Sequence, residues 1–187
     1  MSKNTKRNRI VTVALCVVLL FALCWASFFA QVGSSRMHKF IEYSLNKVAP
    51  APGDINILSY GITGDTLKLK LSGTVIDDGD AIVAPYAAAE QLMKDVFHRT
   101  KITNISIQWN DYLILSYSKD AFSEYQKLQE GGPFSNSGAF QSNIIQFFAK
   151  ADSYAWIDKA TWAKATALRG WITAKELPES KGLKGGF

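Results

Sequence analysis

The chain has 187 residues, 48% of them hydrophobic, with 21 Lys and Arg against 16 Asp and Glu and a formal net charge of +5. That apolar content is too high for a disordered segment and ample for one packed core. Four of the basic residues fall within the first nine positions, so the remainder holds 17 basic against 16 acidic groups, which leaves no cationic stripe and excludes a nucleic-acid footprint.

From Ile10 to Ala30 the chain runs for 21 residues without a charge. At about 1.5 Å per residue a helix of that length reaches roughly 30 Å, the thickness of a bilayer's hydrocarbon core. Ile10 opens the stretch, Leu19 and Leu20 fall at its middle, and Trp25 and Phe28 gather toward its far end, where rings favour the lipid–water boundary. Lys3, Lys6, Arg7 and Arg9 precede it with no acid to offset them, and the positive-inside bias holds such an N-terminus in the cytoplasm. The rival is a cleaved signal peptide, whose apolar core is shorter, about 7–15 residues, and ends at small residues. Phe28 is too bulky for a cleavage site at Ala30, and Leu15 and Leu23 precede Cys16 and Cys24 where a lipid-attachment signal wants Gly, Ala or Ser. The reading is an uncleaved anchor with the bilayer as a partner. The rest of the chain then lies outside the membrane, periplasmic or extracellular, and carries no cysteine for disulfides, thiolate metal sites or thiol nucleophiles.

After the anchor, apolar residues at Met37, Phe40, Ile41, Leu45 and Val48 predict a juxtamembrane helix, stopped by Pro50-Ala51-Pro52-Gly53. Ile55 to Ile62 and Leu67 to Val75 flank Thr63-Gly64-Asp65 and predict a hairpin. In its second strand, leucines alternate with Thr66, Lys68, Lys70 and Ser72, so one face is buried and the lysine face is wet. A helix follows to about Arg99, starting at Ala84 or Pro85, or earlier with Asp80 as its cap; Ala89, Leu92, Met93, Val96 and Phe97 form its apolar stripe. Ile105 to Trp109 and Tyr112 to Tyr117 predict a second hairpin around Asn110-Asp111. Helices are expected over 121–128, 139–150 and 156–174, and Ser180 to Phe187, with three glycines, reads as a flexible tail. The fold class is α+β: a ββαββ-type, largely antiparallel four-stranded sheet packed by helices. The segments are a basic tail (1–9), a transmembrane helix (10–30), a juxtamembrane helix and hinge (31–53), an extracytoplasmic domain (54–179) and the tail (180–187).

Chemistry-bearing motifs are scarce. Asp77, Asp78 and Asp80 cluster around Gly79, but a calcium loop needs further ligands and a Glu at its twelfth position, so a solvated turn explains them and no metal or other cofactor is expected. His38 and His98 are the only histidines; neither has a partner at ligand or triad spacing, and a hydrolase would need His98 to converge with Asp95 or Glu90. The aromatic C-terminal third offers candidate partner contacts at Trp156, Lys159, Trp162, Arg169 and Trp171. Trp162 is the sharpest of them because it falls off the face shared by Trp156 and Trp171. Packing of these rings on the sheet is the competing explanation.

These features predict a non-enzymatic subunit or assembly factor of a cell-envelope complex, whose partners are other membrane or envelope proteins or further copies of the chain. A tethered sensor or glycan-binding module, with the aromatic region as its pocket, is the alternative. One anchor followed by a small α+β domain is similar in topology and size to the scaffold proteins of secretion and conjugation machines, such as the VirB8-like family. That family arranges helices before its sheet, unlike the order predicted here, and no residue is carried over from it.

Overall fold

A computed structural model of the protein describes residues 35–48, 55–73, 80–129, 137–168, 170, 172 and 175–182. The expected anchor, the basic residues before it, the proline hinge, the Asp77–Asp78 loop, Arg169 and Trp171 lie outside the described residues. Among the described residues no helix is long and apolar enough to cross a membrane.

The chain divides into two compact units, 1–43 and 44–187. The boundary falls in helix α1, residues 35–45. In the first unit His38 and Glu42, one helical turn apart, approach to 3.2 Å. The second unit is a mixed α+β fold whose elements run β1 (Asn56–Thr63), β2 (Thr66–Ser72), α2 (Asp80–Arg99), β3 (Asn104–Trp109), β4 (Leu113–Ser118), α3 (Lys119–Leu128), α4 (Ser137–Lys150), β5 (Ser153–Trp156), α5 (Lys159–Leu168) and β6 (Ser180–Lys181).

The six strands form one sheet in sequence order, β1-β2-β3-β4-β5-β6. Every neighbouring pair is antiparallel except β2 and β3. That parallel pair follows from the connection: 20 residues of α2 span about 30 Å and return the chain to the end from which β2 began. Both predicted hairpins form. Gly64 takes a positive φ of 61° at the first central position between Thr63 and Thr66, the requirement of a type II′ turn. The second connection is one residue longer than expected, because Trp109 pairs with Leu113 and leaves Asn110, Asp111 and Tyr112 in the loop, with Asn110 at φ 46°.

The period-two pattern sorts the sheet into two faces. Leu67, Leu69, Leu71, Ile105, Ile107, Trp109, Leu113, Leu115, Tyr117, Tyr154 and Trp156 are buried on one of them. Helices cover that face through rings. Tyr117 of β4 lies 4.9 Å from Phe147 of α4, and Phe97 of α2 lies 5.7 Å from Phe122 of α3. The helix stripe expected from Ala89, Leu92, Met93, Val96 and Phe97 is buried throughout. Helix α2 takes the earlier of its two predicted starts, because Ala81 and Ile82 are apolar and buried; Pro85 is then inside the helix and removes one backbone bond to Ala81.

Three expectations are corrected. The sheet has six strands rather than four, since Ser153–Trp156 pairs with β4 and Ser180–Lys181 pairs with β5. The last helix does not begin at Trp156. The Asp158 carboxylate accepts from the Ala160 N–H at 3.0 Å and from the Thr161 hydroxyl, capping α5 at Lys159. Ser180 and Lys181, placed in the flexible tail, are instead tied down. The Lys181 ammonium donates to the carbonyls of Ala149 at 2.6 Å and Ala151 at 2.5 Å, satisfying the C-terminal end of α4 with a cation.

Beyond β2 the backbone passes close under Trp109. A Cβ built on Gly73 would meet the Trp109 ring at 2.4 Å and 2.9 Å, and the Asn110 side chain brackets Gly73 with two 3.2 Å hydrogen bonds. Gly73→Ala is therefore expected to cost about 1–3 kcal/mol by overpacking, read as a lowered urea midpoint with an unchanged slope. A neutral result would show that Trp109 has room to move.

Candidate functional site

The second face of the sheet is not closed over by the described residues. Its residues are Thr66, Lys68, Lys70 and Ser72 on β2, Asn104, Ser106 and Gln108 on β3, Ile114, Ser116 and Ser118 on β4, and Ser153 and Ala155 on β5, all half-buried or exposed. A trough of about 360 Å³ crosses this face at the β1 side, lined by Ser59, Gly61, Lys68, Lys70, Ser106 and Gln108. Tyr60, Leu69 and Ile114 complete its lining, and the Ser116 hydroxyl donates to Ser106 at 3.2 Å across the strands.

The trough is cationic. Lys70 pairs with Asp111 at 3.2 Å, but that carboxylate is 90% exposed, so the pair is screened and weak. Lys68 has no carboxylate partner among the described residues. Two ammonium groups, several hydroxyls and an amide can hold anionic or hydrogen-bonding groups against a flat floor.

The strand bordering the trough is β1, the first of the sheet. Among the described residues β1 pairs only with β2. Leu58 is 55% and Ile62 46% exposed, and the strand's sequence, NILSYGIT, contains neither charge nor proline. Edge strands are ordinarily blunted by such residues or by cover.

The buried acids and phenols are committed elsewhere. Buried Glu90 lies 2.6 Å from Lys94 and accepts from the Gln129 amide at 2.7 Å. Buried Asp95 accepts both a 2.8 Å and a 3.1 Å hydrogen bond from Lys47 and one of 3.1 Å from Gln91. Burial alone would raise the Asp95 pKa, but donors from Lys47, Gln91 and Ser44 outweigh it and hold the carboxyl below its ordinary value. Among the described residues no hydrogen bond or ion pair joins exposed His98 to Glu90 or Asp95, the convergence a hydrolase would need. The Tyr86 and Tyr125 hydroxyls meet at 3.1 Å inside the core, and burial, with Glu90 nearby, pushes both phenols far above their usual range. Burial likewise pushes Tyr154 up to about 12. These phenols stay protonated near neutral pH and serve packing. Among the described residues no group of three His, Cys, Asp or Glu is placed to hold a metal ion.

The aromatic C-terminal third is mostly core. Trp156 is 3% exposed and stacks on Tyr112 with ring centroids 5.8 Å apart, so it offers no surface to a partner. Phe147, Phe148 and Tyr154 are buried with it. Trp162 is half-buried, its indole N–H donating to the Leu177 carbonyl at 3.2 Å, and Lys159 reaches Glu179 at 2.9 Å. Both tie α5 to the segment leading into β6. Sequence reasoning marked the wet lysine face but passed over Gly61, whose signal is a glycine inside a strand pattern. Comparison with family models, curated proteins and solved structures finds no match to this chain.

Proposed function

We propose that the chain is a non-catalytic subunit or assembly factor of a cell-envelope complex, held in the membrane by one N-terminal helix with its α+β domain outside. The observation that carries this reading is a sheet face that the described residues leave half-exposed, with Lys68 on it lacking a carboxylate partner among them, while the buried acids and phenols are consumed in holding the core together. Such a surface suits docking. The Ile10 to Ala30 stretch and the basic residues before it support the anchor and its orientation. A tethered module for an anionic small molecule is the second reading, favoured by the hydroxyl- and lysine-lined trough.

The test is extraction of the full-length protein from its native membrane in mild detergent, followed by native sizing. A defined assembly larger than the chain is expected. A lone monomer, recovered at every detergent tried, would remove the subunit reading and leave the small-molecule one.

A further inference from the structure

Lys68 and Lys70 carry the only charges on the lining of the trough, and no carboxylate stands among the residues around them. The two are alternate residues of β2, about 6–7 Å apart along the strand, and their four-carbon stems let both ammonium groups converge on one ligand group between them. Their cross-strand neighbours are short or uncharged. Lys68 stands between Gly61 and Ser106, Lys70 between Ser59 and Gln108, and a Cβ built on Gly61 would meet nothing within 4 Å, so space is left on that flank of Lys68. Asp111 holds Lys70 only through a 90% exposed carboxylate that leaves at little cost. The rung of Lys68 continues as Ser106, Ser116 and Ser153, a row of hydroxyls across three strands.

Resting on the second reading above, the small-molecule module, we propose that the trough binds a phosphomonoester of a polyhydroxy compound, the class of the sugar phosphates. Three features select this class. A phosphomonoester carries a charge of about −1.5 to −2 at neutral pH, which two ammonium groups balance, whereas a carboxylate or a phosphodiester carries a single charge. Lysine is a point charge with rotatable donors that suits phosphate, while planar carboxylate recognition favours the arginine fork, and no arginine lines the trough. The volume of about 360 Å³ falls in the range of small-ligand sites and exceeds a phosphate alone. With the phosphate on the β2 lysines, the Ser59 and Ser106 hydroxyls and the Gln108 amide are left for the hydroxyls of the ligand's body.

The experiment is isothermal titration calorimetry on the full-length protein in mild detergent. The probes are glucose 6-phosphate, glucuronate, glycerol 3-phosphate and glycerophosphoglycerol, the last a phosphodiester that stands in for a lipid headgroup. Glucose 6-phosphate is expected to bind about tenfold or more tighter than glucuronate, and glycerol 3-phosphate tighter than glycerophosphoglycerol. Lys68→Ala and Lys70→Ala are each expected to weaken glucose 6-phosphate binding about tenfold and to leave the thermal midpoint unchanged, because both side chains stand on the wet face. Asp111→Asn is expected to tighten binding about two- to fivefold by releasing Lys70, a gain that damage to the fold would not produce. Absence of glucose 6-phosphate binding, or binding indifferent to both lysine substitutions, overturns the proposal. So does a phosphodiester that binds as tightly as the monoester, which would assign the trough to a lipid headgroup. Glucuronate binding as tight as that of glucose 6-phosphate, and lost in Lys68→Ala, overturns the phosphate class but leaves the anionic small-molecule reading standing, whereas failure of every anion removes both. Native sizing is independent of these titrations, so the subunit reading is judged separately.

Discussion

Phe147→Ala is expected to lower the unfolding free energy of the α+β domain by about 3–5 kcal/mol, the largest loss of any single truncation here. Phe147 is fully buried at the point where the covering helices meet the sheet. Its ring lies 5.2 Å from Tyr86 of α2, 4.9 Å from Tyr117 of β4, 5.2 Å from Tyr125 of α3 and 5.6 Å from Phe148. The Tyr117 hydroxyl also donates to the Phe147 carbonyl, fixing α4 on the sheet. Truncation would open a cavity walled by rings from three other elements, and such walls collapse poorly because each ring is held by further partners. Phe140→Ala is the control: that ring is half-buried, 6.1 Å from Tyr86, and its loss should cost about 1–2 kcal/mol. Urea titration of the full-length protein in mild detergent, followed by tryptophan fluorescence, measures both. Equal losses would show that Phe147 is not the junction its contacts describe.

The second large effect is expected at Asp95. It is 7% exposed and holds Lys47, the residue just beyond α1, through both carboxylate oxygens, with Gln91 sharing one of them. Arg99 stands farther off at 3.7 Å. Asp95→Ala leaves those donors without their acceptor and is expected to cost about 2–4 kcal/mol, since hydrogen bonds to a charged group are worth more than neutral ones and the orphaned partners are partly buried. The pH dependence has a defined sign. Because the folded state holds the carboxyl below its ordinary 3.8, the contribution is complete above that value and is lost as pH falls through the lower folded value. The stability gap between wild type and Asp95→Asn should therefore be constant from neutral pH down to about pH 4 and narrow below it. A gap that widens on acidification would reverse the assigned shift.

Pattern alone was enough to identify the α+β class, the hairpin–helix–hairpin core and the assignment of faces. In a strand the backbone sends successive side chains to opposite sides, so leucines alternating with Lys68 and Lys70 state which side is buried without reference to anything distant. The stripe on α2 is legible for the same reason. Tertiary structure decided the rest. Tyr154 and Trp156 are two apolar residues two apart, too few to separate a strand from the start of a helix; the register with Leu113 and Leu115 on β4 and the cap from Asp158 settled it. Lys181 stands in a glycine-rich end, yet it is held by carbonyls of a helix thirty residues earlier. That Gly61 stands opposite Lys68 is likewise fixed by the β1–β2 register. Local periodicity reports burial because covalent geometry enforces it, whereas edges, late strands and troughs depend on which segments meet after the chain has folded.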